Sequence, residues 1–258
     1  SNLILNNMLY NLIGDIHGRK IWQQLVREDA VNVFLGDYLD PYFKDGLRSG
    51  IDDWETLQGI LAYKQQNPGT VLLLGNHDMH YVWDECYSRR NEYKNHITRF
   101  RECFRDNWHL FQAAFAIGKR ILVTHAGVTR PWCELAGILD GLSATELADA
   151  INLRMKDEEK RNVFTTKISF QFGDNLGLSP TASPIWVRPE TLREHGRLFS
   201  SDGDAIIQIV GHTQVADIQL KEPFFFIDCL NFYPPQSLLI EVLESGEYRF
   251  EIYEPIKL

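Results

Sequence analysis

Three apolar runs, Leu9–Ile13, Val31–Leu35 and Val71–Leu74, each stop at a glycine and open onto polar residues. The openings read Gly14-Asp15-Ile16-His17-Gly18, Gly36-Asp37-Tyr38-Leu39-Asp40-Pro41 and Gly75-Asn76-His77-Asp78. A short apolar run closed by such a turn signal is the pattern of a buried strand. Helical spacing returns after the first opening, with Ile21, Trp22, Leu25 and Val26 on one face. After the second, a helix from about Trp54 to Gln66 turns Leu57, Ile60 and Leu61 inward and stops at Asn67-Pro68-Gly69. Successive strand–loop–helix units predict an α/β architecture with parallel central strands. In such sheets function sits outside the carboxyl ends of the strands.

Two later apolar runs repeat the design. Arg120–Thr124 opens onto His125-Ala126-Gly127, and Ala205–Val210 onto Gly211-His212-Thr213. Gly118-Lys119 has the form of a hairpin turn joining Gln112–Ile117 to Arg120–Thr124. Phe224–Ile227, Ser237–Leu243 and Tyr248–Tyr253 are expected to finish a second sheet as antiparallel strands.

The segment of about 81–110 differs. Tyr93, Ile97, Phe100 and Phe104 recur at helical spacing among Arg89, Arg90, Lys94, Arg99, Arg101 and Arg105. An amphipathic cap helix with a solvated basic face is the plainer reading, and a lid recruiting an anionic substrate the sharper one. Ser143-Ala144-Thr145-Glu146 is a capping box with Leu142 and Leu147 as its staple, starting a helix that runs to about Lys156. The polar, irregular stretch after it is long enough to imply a functional role. No linker-like composition shift or repeat interrupts the chain. One domain over 1–258 is therefore expected, carrying a helical cap insertion at about 81–110 and a helix-plus-loop insertion at about 141–200.

Bulk properties weigh against some partners. A net charge of -9 without a basic tract disfavours nucleic acid as an obligatory partner. No apolar stretch approaches about 18 residues, which argues against a membrane span. The first residues lack a signal-peptide layout. Cys86, Cys103, Cys133 and Cys229 are scattered and form no Cys-x-x-Cys pair, so reduced thiols and a cytoplasmic location are expected.

The five strand ends together carry Asp15, His17, Asp37, Asp40, Asn76, His77, His125 and His212. Oxygen and imidazole donors without thiolates suit Mn, Fe or Zn. A bridging carboxylate lets such a set hold two ions, which can clamp the attacking and leaving oxygens of a phosphoryl displacement.

In this order the motifs resemble the calcineurin-like metallophosphoesterases. Gly-Asp-Tyr-Leu-Asp and Thr-His-Ala-Gly are most similar to the phosphoprotein phosphatase branch, including its bacterial and diadenosine tetraphosphatase members. The resemblance spans about Tyr10 to Asp228 and implies a four-layer αββα sandwich of two mixed β-sheets flanked by helices. It implies two metal ions. Asp15 and His17 would bind the first, Asp37 would bridge both, and Asn76, His125 and His212 would complete the second. His77 would be the general acid, oriented by Asp40, and a metal-bridging water the nucleophile. The implied activity is hydrolysis of a phosphate monoester on a phosphoprotein. The alternatives are a dinucleoside polyphosphate or other small phosphorylated substrate, and a non-catalytic metal-binding scaffold.

The chain departs from that branch at Pro41, where its members usually carry a phosphate-clamping arginine. Arg188, in Trp186-Val187-Arg188-Pro189, resembles the later phosphate-binding arginine, and a guanidinium gives phosphate a bidentate match. Asp78 is expected to hold local backbone as a turn or cap. His80, His96, His109, His195, Arg130 and Asp228 are assigned ordinary structural or surface roles. Tyr38, Tyr42, Phe43 and Trp186 are candidates to stack on a base or line a phosphotyrosine pocket.

Overall fold

The computed structural model describes residues 7–86, 94–166 and 176–255. Strands β1 (Met8–Ile13), β2 (Val31–Phe34) and β3 (Val71–Leu73) lie parallel, as their spacing predicts. Helix α1 (Trp22–Leu25), a single turn, follows β1, and α2 (Asp52–Gln66) follows the loop after β2. Behind β3 come α3 (Asn76–Val82) and α4 (Lys94–Asp106). The short β4 (Phe111–Gln112) then pairs parallel with β3.

Strands β5 (Ala114–Ile117) and β6 (Ile121–Thr124) form the expected hairpin and start a second sheet. The expected first strand, Gln112–Ile117, is therefore divided, with Gln112 in one sheet and Ala114 in the other. Helices α5 (Arg130–Leu135), α6 (Ala144–Lys156) and α7 (Pro189–His195) precede β7 (Ile207–Val210). The capping box at Ser143 and Glu146 is present.

The last strands require a correction. β8 (Gln219–Lys221) and β9 (Phe224–Phe226) join the second sheet, where β9 runs parallel to β7. β10 (Ser237–Val242) and β11 (Tyr248–Tyr253) return to the first sheet, with β10 antiparallel to β1. The orders are β11-β10-β1-β2-β3-β4 and β5-β6-β7-β9-β8. Alternation supplies runs of apolar residues but not the identity of the strand they pair with.

Both sheets are mixed, and they pack face to face. Leu12, Val33, Leu35, Val71 and Leu73 meet Ile121, Val123, Ile207, Ile209 and Phe225 in one buried cluster. The intervening residues Ile13, Phe34 and Leu72 point the other way, into a cluster with Trp22, Leu57, Ile60 and Phe104 of the helices. Over the far face of the second sheet, Leu192 of α7 covers Val210, Phe224 and Phe226. The result is the four-layer α/β arrangement of two mixed sheets flanked by helices.

In the 81–110 segment, α4 buries Phe100 and Phe104 and exposes Arg101 and Arg105, as an amphipathic helix should. Arg89, Arg90 and Tyr93 lie outside the described residues. No helix among the described residues is long and apolar enough to cross a membrane.

Candidate metal and acid site

The carboxyl ends of β1, β2, β3, β6 and β7 converge on one buried cluster. Asp37 stands at its centre. Its Oδ2 lies 3.5 Å from His17 Nε2 and 3.3 Å from His125 Nε2. One set of mutually close donor atoms comes from Asp15, His17 and Asp37, another from Asp37, His125 and His212. Asn76 Oδ1 is 3.2 Å from His125 Nε2, which brings the amide oxygen to the second set.

Backbone carbonyls select the imidazole tautomers. His17 Nδ1 donates toward Leu39 O (2.9 Å) and Asp40 O (3.1 Å), and His125 Nδ1 to Leu35 O (2.7 Å). Their Nε2 atoms thereby face Asp37. His212 uses Nε2 on Trp186 O (3.1 Å), which leaves Nδ1 for the cluster. Fixing one ring nitrogen on a carbonyl is how ligand histidines are oriented for a metal.

The backbone is contorted to achieve this. The non-glycine residues with positive φ among those described are His17 (45°), Asp37 (53°), Asp40 (62°) and His212 (68°), all candidate site residues. Such conformations cost of order 1–3 kcal/mol each and persist where the surrounding structure enforces them. Gly75 is required by close approach, because a Cβ there would stand 2.1 Å from Asp37 Oδ1.

Asp78 enforces part of the geometry. Its carboxylate accepts from Gly75 N (2.8 Å), Asp37 N (2.7 Å) and Tyr38 N (3.0 Å), clamping the β2 and β3 loops together. Burial and the charge of Asp37 push its carboxyl upward, against the pull of these N–H groups.

The unbalanced charge in the cluster fits cations. Asp15 Oδ2 and both Asp228 oxygens are buried without a hydrogen-bond partner. Burial, and then the neighbouring Asp15, push the Asp228 carboxyl well above the usual range. His212, through burial and the adjacent Arg188 and His125, is held well below its ordinary value and is therefore neutral, as a ligand must be. Asp15, His17, Asp37, Asn76, His125 and His212 offer a donor set without thiolates, and buried like charges of this kind are costly unless a cation compensates them.

Beside the cluster lies a histidine–carboxylate pair. His77 Nδ1 is 2.7 Å from Asp40 Oδ2, and the ring stands edge-on to His17 at 5.2 Å. Arg188 reaches the same rim. It donates from Nη1 to His212 O (3.3 Å) and Thr213 Oγ1 (3.0 Å) and from Nε to Leu176 O (3.1 Å). Burial lowers its pKa, while the charges of Tyr42, Asp15, Asp37 and Asp228 oppose that effect. Pro41 is buried against Gly18 and carries no cation to the rim.

Several residues have roles the sequence reading did not assign. Asp228 is no ordinary turn residue, since it is fully buried behind Asp15. Arg19 is buried and reaches Asp15 O, Asp45 and Asn231; its position directly after Gly18 was the available signal. Tyr81 donates to Asp40, one helical turn beyond His77. Tyr38 cannot stack on a ligand, because it is fully buried with its hydroxyl on Leu73 O. Tyr42 does lie at the site, 4.9 Å from His17. Arg130 and His109 are exposed, in line with surface roles.

The calcineurin-like phosphoesterase family profile matches residues 8–216, an interval that contains every candidate ligand. The chain belongs to that family. It is accordingly a metal-dependent phosphoesterase. No curated protein matches the sequence. Among solved structures the fold is similar to a Saccharomyces cerevisiae protein serine/threonine phosphatase with similarity to human phosphatase PP5. The TM-score is 0.51 at 15% identity, covering 97% of this chain and 81% of that one. At this identity the likeness speaks for the fold.

Proposed function

We propose that this phosphoesterase hydrolyses phosphate monoesters, with a phosphoserine, phosphothreonine or phosphotyrosine protein as the substrate class. The carrying observation is the His77–Asp40 pair set directly against the donor cluster. Two bound ions (Mn, Fe or Zn) would supply positive charge for the phosphoryl oxygens and would activate an attacking water. Asp15, His17 and Asp37 would hold one, and Asp37, Asn76, His125 and His212 the other.

The chain's own residues do the rest. Asp40 holds the Nδ1 proton of His77, so the proton that can be transferred sits on Nε2. As the phosphorus–oxygen bond breaks, Nε2 gives that proton to the departing alkoxide or phenoxide. Asp40 stabilises the imidazolium before transfer. Arg188, anchored by carbonyls and Thr213, presents its remaining N–H groups to a phosphoryl oxygen.

A dinucleoside polyphosphate is the second reading. It draws support from Lys44 Nζ, 5.8 Å from the Tyr42 ring and 5.4 Å from the exposed Phe232 ring, a setting suited to a base and its phosphates. We also read the chain as one domain. We place it in the cytoplasm, which its buried free cysteines support.

The test is an Mn²⁺ activity panel of phosphoserine and phosphotyrosine peptides, diadenosine tetraphosphate and p-nitrophenyl phosphate, run beside metal analysis. His77→Ala should retain metal and lose about 100-fold or more in turnover of phosphoserine, with a smaller loss on p-nitrophenyl phosphate. Equal losses on both would remove His77 as the acid. Protein that takes up metal but turns over no member of the panel would favour the non-catalytic metal-binding scaffold.

A further inference from the structure

We infer that Tyr81 is a positioning residue that completes a Tyr81–Asp40–His77 relay, an inference that rests on the reading of His77 as general acid. Tyr81 lies four residues after His77 on α3, so both side chains leave the same face of the helix. They grip different oxygens of one carboxylate. His77 Nδ1 meets Asp40 Oδ2 at 2.7 Å, and the Tyr81 hydroxyl donates to Asp40 Oδ1 at 2.5 Å. Asp40 is fully buried, and its backbone N–H is tied to Asp53 Oδ2 (3.2 Å). Its carboxylate therefore has a fixed origin, and the phenol fixes the rotation that aims Oδ2 at the imidazole.

The phenol is itself held rigidly. Its ring is buried and meets Phe100 of α4 edge-to-face at 5.1 Å, and Phe100 stacks on Trp54 of α2 at 5.7 Å. The basic amphipathic helix thus has a use apart from any lid: it seats the residue behind the acid. Burial and the charge of Asp40 keep the hydroxyl protonated, so it serves only as a donor here. A buried tyrosine needs some acceptor, and a backbone carbonyl would satisfy it. This one takes a charged oxygen, where a hydrogen bond is stronger and aligns its partner.

A hydroxyl acting through Asp40 matters only when His77 must deliver a proton. Tyr81→Phe removes the hydroxyl and keeps the ring. In the Mn²⁺-loaded protein it should lower kcat about tenfold on phosphoserine and other alkyl esters. On p-nitrophenyl phosphate, whose leaving group needs little help, it should change kcat less than about twofold. Metal content and inhibition by inorganic phosphate should match the unmodified protein. In an Asp40→Asn background the same substitution should have almost no effect, because the carboxylate it orients is gone.

A loss equal across leaving groups, or one that persists undiminished in Asp40→Asn, would overturn the relay and leave Tyr81 a packing residue. Loss of metal would do the same. His77→Ala in the same panel separates the two failures. If it shows no leaving-group dependence, the acid assignment itself falls. If it does and Tyr81→Phe does not, only the relay falls.

Discussion

Asp78 provides the most direct test of how the site is held. Its Oδ2 accepts from Asp37 N and Gly75 N, and its Oδ1 from Tyr38 N. In Asp78→Asn the amide oxygen can replace only one of these oxygens. The better rotamer keeps the two bonds at Oδ2 and turns an NH2 toward the Tyr38 N–H. The Tyr38 N–H and the new amide NH2 then both lie buried without an acceptor, at a cost of at least about 2 kcal/mol. Asp78→Ala leaves all three unsatisfied and should cost at least about 3 kcal/mol. For a chain of this size the asparagine variant should melt at least roughly 4 °C lower, and the alanine variant lower still. Because Asp37 is one of the residues so held, both variants should also bind Mn²⁺ more weakly. Thermal denaturation with chelator and with excess Mn²⁺, together with Mn²⁺ titration, measures both effects. An asparagine variant with unchanged melting temperature and unchanged Mn²⁺ affinity would refute the clamp.

Three further outcomes are expected. Gly75→Ala drives a Cβ to within 2.1 Å of Asp37 Oδ1 and should abolish metal uptake, whereas Gly69→Ala, with no atom within 4 Å of its Cβ, should be silent; metal analysis decides. Arg188→Ala should weaken inhibition by inorganic phosphate about tenfold or more, and Arg188→Lys should not restore it; an unchanged inhibition constant would sink the assignment. In metal-free protein, burial opposes charge on His125, but Asp37 and Asp15 outweigh it and raise the group to about 10. A folded value above the unfolded value of about 6.5 gives stability that is fully present below about pH 6.5 and lost as pH rises through about 10. Chelated protein should therefore lose stability across that window, and Mn²⁺, which displaces the same proton, should bind more tightly across it; a flat melting temperature between pH 7 and 10 would contradict this.

The parallel half of the fold was legible because its strands are buried on both faces. Leu12 and Ile13, or Val71, Leu72 and Leu73, fill alternate layers, and the sequence shows continuous apolar runs that stop at glycine. The destination of β10 and β11 was not legible, since nothing in Ser237–Val242 tells the chain to pair with β1 rather than β9. Asp228 was misassigned for a related reason. A carboxylate after a strand is usually a turn residue, and only the return of that strand beside Asp15 buries it fully and pushes its carboxyl upward.

The candidate site residues that the fold brings together were visible from their glycine neighbours, but what holds them was not. Four of them occupy left-handed backbone that no side chain in the sequence announces. That strain needs compensation, and the compensating groups lie where sequence distance hides them. Asp78 reaches back across β3 to Asp37 and Tyr38, Asp53 ties down Asp40 from α2, and Asp15 Oδ1 accepts from the His212 N–H 197 residues away. Each strained residue is thus gripped by a buried carboxylate or its hydrogen-bonded neighbours. Cations that neutralise Asp15 and Asp37 would therefore also stabilise the backbone that presents them. Metal loading and the folding of these loops should then be one cooperative event, and protease protection of the Gly36–Pro41 and Gly75–Asp78 loops should rise with the same Mn²⁺ dependence as activity. Protection complete without metal would show that the carboxylate clamps suffice alone.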